Sequence, residues 1–509
     1  MISTKKFLST VCALSLGLSS LVACSNESAS NTNQTAESGE SDAPFKLSIM
    51  ATLHTPEIPD ERLEKLIEEK TNTELDIQWV PDANYIEKLN TAFATGTLPM
   101  AVSISAQELG TQFKQAIRDD QFWEIGPYLD EFENLKKLKP TIIENTKVDG
   151  KVYAIYQGRP LSRQGFIFRK DWADKLGIAT PTNTEEFYEM ARAFTEDDPD
   201  GNGKDDTIGL SDRSDLIYGA FKTVSSWFGT PNEWGMKDGK LMPEFMFDEY
   251  IDTLDFFRDL HENGYINKDF PVTSKKDQQA MFKNGTSGIY VGSIGDVQGL
   301  YDDAIKLNPD LEYDVQNKVE GPNGEFGIWS IPGFGSAILF PKSAIKSEEE
   351  LKKALEFYDH LMTPELANLL LWGIEGEHYE VKDGAALPDA SIREKLDREV
   401  RPYLSLEVGE PDTNGRYEGL AEYEIKAKAE ELIKENENYL INNPVVTLDS
   451  ETFTKNGERL QTIITDATYQ YILGQIDKKG FDDAVKKWRE QGGDKVIEEY
   501  NASYEKVNN

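Results

Sequence analysis

The acidic loop from Asp198 to Asp206 has the residue types and the spacing of a calcium site. Its pattern, D-x-D-G-N-G-x-x-D, puts side-chain oxygens at the first, third, fifth and ninth positions and Gly203 at the sixth. In an EF-hand-type loop alternate residues point inward, and this glycine permits the sharp turn. We therefore expect a structural calcium ion. Its ligands would come from Asp198, Asp200, Asn202, Asp206 and, through the backbone carbonyl, Lys204.

The calcium pattern is incomplete and has a simpler alternative. A full EF-hand ends in a bidentate Glu at the twelfth position, which is Gly209 in this chain. The remaining ligand must then come from water or from another residue, with Asp212 and Asp215 as candidates. The alternative is a solvated turn, because Asp, Asn and Gly are common turn formers.

Aromatic side chains in loops are the candidates for binding a sugar. Flat rings pack against the C–H groups of a pyranose, and a few polar groups bind its hydroxyls. For each aromatic residue alone, a role in the core is the more common alternative. Trp172 is assigned to packing. The candidate substrate-binding residues are Arg159, Trp227, Trp234, Trp329, Trp372, Glu375 and Tyr379.

Two sets of charged residues leave alternatives open. Glu375 and Glu377 would suit a glycosidase, which needs an acid and a nucleophile, or they bind loop backbone and ligand hydroxyls. Arg159, Arg163 and Arg169 cluster in an otherwise acidic chain. Pairing with the many carboxylates is the favoured interpretation. The alternative is that some of these arginines line a cleft and bind an anionic sugar.

Alternating strand and helix patterns must position these residues. From Phe45 to the strand after Pro99 the order is strand-helix-strand-helix-strand, which predicts a parallel α/β lobe. Ligands of such sheets lie beyond the carboxyl ends of the strands. Thr182 and Glu185 have the spacing of a capping box for the helix before the calcium-type loop. The final hundred residues predict three or four helices.

The N-terminus predicts export and a lipid anchor. Two lysines precede the mostly apolar range 7–22, which ends in Leu-Val-Ala-Cys at Cys24. That ending resembles the bacterial lipobox, in which the cysteine becomes the lipidated N-terminus. A conventional signal with an incidental cysteine is the alternative. The only other cysteine is Cys12, so the mature chain has neither a disulfide nor a thiol nucleophile.

Composition limits the possible functions further. The 509 residues predict two or three domains or lobes, and the range 24–44 is too polar to form a core, so it predicts a flexible tether. The formal net charge of -37 repels nucleic acid and anionic headgroups. The chain has no Walker A glycine loop, so the ATPase of any transporter would be a separate chain.

Several motifs along the chain, besides the lipobox, are distinctive in combination. They are Asp149-Gly-Lys-Val-Tyr-Ala154, Phe168-Arg-Lys-Asp-Trp-Ala-Asp-Lys-Leu-Gly177, Pro181-Thr182, Asp198-Pro-Asp-Gly-Asn-Gly-Lys204, Gly373-Ile-Glu-Gly-Glu-His-Tyr379 and Tyr471-Ile-Leu-Gly474. In order and spacing they resemble one family: the LplA-type extracellular solute-binding lipoproteins of bacterial ABC importers. One departure is Gly96-Thr-Leu-Pro-Met100, where the family often has an acidic Gly-Asp-x-Pro-Asp segment.

The resemblance implies a bilobal periplasmic-binding-protein-like fold, with two α/β lobes joined by a hinge and a ligand cleft between them. We predict a signal peptide at 1–23, a tether at 24–44, an N-terminal lobe from 45–165 with 335–400, and a C-terminal lobe from 166–334 with 401–509.

The resemblance also implies a function. The protein would be a monomeric, non-catalytic receptor that captures an oligosaccharide and delivers it to an ABC permease. It would sit on the extracellular face of the membrane, anchored by the lipid (palmitate) on Cys24, with a structural calcium ion. The alternatives are a binding protein for peptides or other solutes and an extracellular glycosidase.

Overall fold

Two β-sheets organise the fold in a computed structural model of the chain. The structure describes residues 43–55, 57–106, 109, 111–388, 390–421 and 423–508. The predicted signal peptide, the lipidation site Cys24 and nearly all of the predicted tether lie outside these residues.

The strands, in chain order, are β1 (Phe45–Leu53), β2 (Thr73–Pro81), β3 (Ala101–Ser105), β4 (Ala154–Gly158), β5 (Gln164–Arg169), β6 (Ile208–Ser211), β7 (Trp234–Lys237), β8 (Lys240–Pro243), β9 (Ser287–Ser293), β10 (Tyr313–Gln316), β11 (Ile328–Trp329), β12 (Phe334–Leu339), β13 (Tyr379–Lys382), β14 (Ala385–Pro388) and β15 (Leu440–Ile441).

The α-helices, in chain order, are α1 (Arg62–Thr71), α2 (Asp82–Thr95), α3 (Thr111–Arg118), α4 (Pro140–Asn145), α5 (Lys170–Leu176), α6 (Thr184–Glu196), α7 (Ala220–Trp227), α8 (Asp248–Glu262), α9 (Lys275–Lys283), α10 (Val297–Ala304), α11 (Glu348–Leu361), α12 (Pro364–Trp372), α13 (Arg393–Glu399), α14 (Pro411–Asn414), α15 (Glu424–Glu435), α16 (Glu451–Ile472), α17 (Lys478–Trp488) and α18 (Asp494–Asn508).

The first sheet has the strand order β2-β1-β3-β12-β4. Strands β1, β2 and β3 are parallel, as the alternating strand and helix pattern predicted, and β12 is antiparallel to both of its neighbours. Met50 and Val102 in its central strands are fully buried. Burial on both faces explains why these strands are rich in apolar residues.

The second sheet has the order β10-β5-β9-β6. Helix α6 packs on it through the predicted stripe that includes Phe187 and Phe194, and the ring of Phe187 meets Phe166 of β5 edge-to-face at 5.3 Å. The helix is capped by Asn183, whose side chain accepts a hydrogen bond from the Glu186 N–H. The predicted cap at Thr182 was therefore wrong by one residue.

Two chain segments cross between the sheets side by side. The first joins β4 to β5 and the second joins β11 to β12. Arg159 N–H donates to the Gly333 carbonyl at 2.8 Å, and Ile331 N–H donates to the Leu161 carbonyl at 2.9 Å. Each sheet has its own apolar cluster, so the fold is bilobal α/β.

The final hundred residues form the four-residue helix α14 and four longer helices, α15 to α18, where three or four helices were predicted. Val400, Tyr403 and Val408 still pack in the apolar cluster of the first sheet. The lobe boundaries, including the one placed at residue 400, stay a prediction. Within the described part of the chain, no helix combines the length and the apolar character needed to cross a membrane.

Candidate functional site

A polar cavity of about 280 Å³ lies at the carboxyl ends of β1, β3 and β4. We call it the edge cavity. Its position agrees with the rule that ligands of open α/β sheets lie beyond the carboxyl ends of the strands. It is lined by Thr52, His54, Asp82, Tyr85, Ile86, Ser103, Ser105, Gln157, Arg159, Gly335, Ser336 and Ser405.

Contacts within the wall of the edge cavity fix several of these polar groups. Gln157 Nε2 donates to the Leu404 carbonyl at 2.9 Å, and its Oε1 accepts from the Ser336 hydroxyl at 3.4 Å. The Ser405 hydroxyl donates to the Thr52 carbonyl at 2.6 Å. The cavity therefore presents hydroxyl and amide groups whose positions are fixed by hydrogen bonds, and such groups are suited to bind the hydroxyls of a sugar.

Arg159 is the residue among the predicted substrate-binding residues that lines this cavity. Its side chain is exposed, and its guanidinium crosses the face of Gly335, where a Cβ would come within 2.8 Å of Nε. Burial of part of the side chain and the positive charges of Arg163 and Arg416 lower the pKa of Arg159 below its usual value. Arg159 thus contributes a positive charge to a cavity whose wall also contains the carboxylate of Asp82.

The three clustered arginines have different environments. Arg169 pairs with Asp171 at 2.5 Å and lies over the ring of Trp172, so its predicted structural pairing is confirmed. Trp172 itself is buried, as predicted. Neither Arg159 nor Arg163 makes an ion pair or a side-chain hydrogen bond with any described residue, so structural pairing was wrong for these two.

A second cavity of about 390 Å³ lies between the first sheet and α15, and we call it the hinge cavity. Arg159 lines this cavity as well. Trp372 is half-buried in its wall and donates from Nε1 to the Tyr417 carbonyl at 2.9 Å. The other cations in the wall already have carboxylate partners; for example, Lys139 lies 3.2 Å from Asp412. The ligand role of Trp372 stays a prediction.

Trp227 is a core residue, and the prediction that it binds substrate was wrong. Its side chain is 0% exposed, and its ring lies edge-to-face with Phe187 at 5.3 Å and with Phe166 at 6.1 Å. The ring forms part of the contact between α7 and the second sheet. A ring without exposed surface cannot stack on a sugar.

Trp234 and Trp329 are 5% and 4% exposed. Trp234 packs on Tyr500 at 4.9 Å, at the edge of a separate cavity of about 490 Å³ beside α16. Trp329 donates from Nε1 to the Thr223 hydroxyl at 3.1 Å. Their ligand roles stay predictions.

Tyr218 is an exposed aromatic residue that the sequence did not single out. It is 45% exposed and rests on the Trp329 ring, with centroids 5.6 Å apart. No local pattern marks it, since it lies in a turn between β6 and α7. Gln157 and Ser336 were missed too, although their places at strand ends were a usable signal.

Glu377 of the Gly373–Tyr379 motif joins Arg62 and Lys395, and we call this set of three residues the clasp. Both oxygens of Glu377 bind the Arg62 guanidinium, at 2.7 and 2.6 Å, and Oε1 also accepts from Lys395 at 2.6 Å. The hydrogen bonds from Arg62 and Lys395 lower the pKa of Glu377 to about 2. A carboxylate this acidic is a poor general acid, so Glu377 does not suit the acid role in the glycosidase alternative.

Glu375 and Tyr379 occupy the same motif. The Glu375 side chain is exposed, and its backbone pairs with that of Tyr379, whose ring is buried. Burial raises the pKa of the Tyr379 phenol. The substrate roles of both residues stay predictions.

Glu377, His378 and Glu399 also form a group with the spacing of a metal site, since one ligand atom from each lies within 4.8 Å of the others. His378 Nδ1 accepts the Ile374 N–H at 2.9 Å. The neutral imidazole then carries its proton on Nε2, which faces Glu399 at 3.5 Å. A protonated nitrogen cannot bind a metal, so this histidine does not suit a metal site, and its Nε2 makes no hydrogen bond with the described residues.

The side chains of the calcium-type loop converge as its sequence predicts. Asn202 Nδ2 lies 2.7 Å from Asp200 Oδ2 and 3.0 Å from Asp206 Oδ1, so one amide bridges two carboxylates. Gly203 has a φ of +75°, the sharp turn that glycine permits. Asp198 Oδ1 is buried without a hydrogen-bond partner among the described residues. Clustered carboxylates and an unpaired buried oxygen fit a calcium ion.

The two additional candidate ligands have other roles. Asp212 is buried and accepts the Ala220 N–H at 2.9 Å, which holds the start of α7. Asp215 accepts the N–H groups of Ile217 and Tyr218. Their candidacy as calcium ligands stays a prediction, with water as the alternative source of the last ligand. The ion itself stays a prediction.

Known proteins resemble the chain over nearly its whole length. The family described as bacterial extracellular solute-binding protein matches residues 55–367. The Polygalacturonan/rhamnogalacturonan-binding protein YtcQ of Bacillus subtilis (strain 168) is 41% identical over 488 residues, which are 94% of this chain and 95% of that protein. Lipoprotein LipO of the same strain is 34% identical over 97% of each chain.

A solved structure resembles the fold. The extracellular solute-binding protein from Bifidobacterium longum subsp. infantis matches with a TM-score of 0.71 over 92% of this chain and 99% of that chain. The two sequences are 17% identical, so this likeness concerns the fold alone.

Proposed function

The chain belongs to the family of bacterial extracellular solute-binding proteins, and from that membership we propose that it captures an oligosaccharide outside the cell and delivers it to an ABC permease. The edge cavity carries this proposal. It combines hydroxyl, amide and guanidinium groups beyond the carboxyl ends of the first sheet, beside the two segments that connect the sheets.

Pectin-type glycans are the proposed source of the oligosaccharide. The relative that is 41% identical is named for binding polygalacturonan and rhamnogalacturonan. Residues on both lobes would contact the glycan, with Tyr218 as an exposed aromatic face on the second. Closure around the ligand would be a hinge motion at the crossing segments.

The protein would act as a monomeric receptor without catalytic activity. The low pKa of Glu377 and its pairing with Arg62 support a structural role for this carboxylate of the Gly373–Tyr379 motif. Lipid on Cys24 would hold the receptor at the extracellular face of the membrane, in line with the lipobox and with a relative named as a lipoprotein.

A calcium ion would stabilise the loop from Asp198 to Asp206. When bound, it would neutralise the clustered carboxylates and take the unpaired Asp198 oxygen as a ligand. The loop follows α6, which packs on the second sheet. We therefore assign the loop a structural role rather than a part in ligand capture.

The test is the thermal midpoint of the purified protein against a panel of acidic and neutral oligosaccharides, with calcium present. A ligand at a hundred times its dissociation constant adds about 2.7 kcal/mol to the free energy of unfolding, which is a readily measured shift. Chromatography of the recovered ligand checks that it is intact.

A shift with intact glycan supports the receptor. No shift with any glycan, but a shift with peptides, would refute the oligosaccharide function in favour of the alternative binding protein. Recovery of shortened glycan would refute the non-catalytic function.

A further inference from the structure

Two arginines stand apart in the charge pattern of this chain. There are 91 acidic residues against 54 basic ones, and an arginine side chain without a carboxylate is therefore unexpected. Among the described residues, Arg159, Arg163 and Arg459 have none. Arg459 instead donates to Gln491, so Arg159 and Arg163 are the two described arginines with neither a carboxylate nor a side-chain hydrogen bond. The arginines with a carboxylate within 4.0 Å are Arg62, Arg118, Arg169, Arg192, Arg213, Arg258, Arg398, Arg401, Arg416 and Arg489.

The nearest acidic influence on Arg159 is already engaged. Glu407 acts on Arg159 through space but pairs with Arg416 at 2.6 Å. Glu407 is also buried. The pair therefore leaves the charge of Arg159 unbalanced, while Arg163 and Arg416 add positive charge nearby.

The guanidinium of Arg159 is placed in the edge cavity by its neighbour on β12. Gly335 lines the edge cavity but not the hinge cavity, and the Arg159 Nε lies where a Gly335 side chain would begin. The absence of a side chain at residue 335 leaves the guanidinium room to lie against the strand. Its fixed planar donors are exposed to a ligand in the cavity.

We propose that the guanidinium of Arg159 binds the carboxylate of a uronic acid residue in the captured oligosaccharide, and so makes the receptor selective for acidic glycans. This inference rests on the proposed oligosaccharide function. A guanidinium matches a carboxylate with two parallel N–H···O bonds, a pairing that hydroxyls of a neutral sugar cannot reproduce. The hydroxyl and amide groups of the cavity bind the rest of the sugar ring.

The experiment is calorimetric titration of the purified full-length protein with trigalacturonate and with its methyl ester, which has the same ring hydroxyls but no charge. Arg159→Gln is the test variant. Arg192→Gln is the matched control, because it removes one positive charge from an exposed helix face outside the cavity. The thermal midpoint of each protein verifies folding.

We expect Arg159→Gln to weaken trigalacturonate binding about 10- to 100-fold, since hydrogen bonds to charged groups are the strong ones. Binding of the methyl ester should change little, and Arg192→Gln should resemble the unchanged protein. Salt should weaken trigalacturonate binding to the unchanged protein more than to Arg159→Gln.

Four results would overturn the inference. Equal losses for the acid and its ester would make Arg159 a general contact, and equal losses in both variants would make the effect one of net charge. An unchanged protein that binds neutral oligosaccharides but not trigalacturonate would overturn the inference and leave the proposed function standing. Binding of no glycan at all would overturn both.

Gly335→Ala tests the placement without removing the charge. The new methyl group would displace the Arg159 guanidinium, so trigalacturonate binding should weaken while ester binding is largely kept. Gly299→Ala is the control, since a Cβ there meets nothing within 4 Å. A Gly335→Ala protein with full affinity for trigalacturonate would overturn the placement.

Discussion

Replacing Trp227 by alanine should reduce stability and leave ligand binding nearly unchanged. The indole has no exposed surface and packs edge-to-face on Phe166 and Phe187. Truncating a fully buried aromatic side chain loses its transfer free energy and leaves a cavity, which together lower the free energy of unfolding by about 3–5 kcal/mol. Because no part of the indole faces solvent, its whole volume contributes to this loss of stability.

The measurement is urea denaturation followed by circular dichroism, since removing a tryptophan alters the fluorescence signal. The midpoint should fall while the slope against urea is kept, because the same surface is exposed on unfolding. Trp227→Phe keeps a ring in the site and should lose less stability than Trp227→Ala.

Ligand affinity is the measurement that separates a core role from a binding role. Effects of distant sites add to within about 0.3–0.5 kcal/mol, so the dissociation constant of folded Trp227→Ala for a bound glycan should change by no more than about twofold. A variant that keeps its stability but loses affinity tenfold or more would refute the burial argument and restore the indole as a sugar platform.

Three further outcomes are expected. Chelating calcium should lower the free energy of unfolding by about 2.7 kcal/mol if the ion was present at a hundred times its dissociation constant. Asp198→Asn should abolish this response, whereas Asp205→Asn, which changes a position outside the ligand pattern, should keep it. An equal response to chelation in both variants would contradict the calcium assignment. Burial raises the pKa of Glu410 to about 7 from 4.5, so its protonated form is favoured in the folded state, and the stability it contributes is lost as the pH rises through about 7. The free energy of unfolding of the unchanged protein, relative to that of Glu410→Gln, should therefore decline by roughly 3 kcal/mol between about pH 4.5 and about pH 7. Denaturation at a series of pH values measures this difference, and a difference that does not vary with pH would contradict the prediction. The pH dependence expected for Glu377 has the opposite sign, because Arg62 and Lys395 lower its pKa to about 2. The stability that Glu377 contributes is present above pH 4.5 and is lost as the pH falls through about 2. If Glu377→Gln lost stability at acid pH in the same way as the unchanged protein, the clasp would be contradicted.

Local patterns in the sequence were sufficient for the elements and the family. The parallel strands from Phe45 to Ser105, the apolar stripe of α6 and the four C-terminal helices follow from periodicity, which depends on neighbours along the chain. The start of α7 at Ala220, after a turn that follows β6, is not marked by such periodicity. Side-chain contacts from Asp212 and Asp215 to backbone N–H groups two to eight positions later hold that start.

The sequence by itself also determined the calcium-type loop, since all of its side chains lie within nine positions and their convergence needs only a turn at Gly203. Charges and aromatic rings far apart in the chain were decided by the tertiary structure alone. Glu377 meets Arg62 across 315 positions, and the choice of Glu407 for Arg416 leaves Arg159 unpaired. Trp227 and Tyr218 both lie near turns, yet one ring is buried and the other is exposed. Burial and pairing depend on which surfaces meet in three dimensions, and composition and spacing do not specify those meetings.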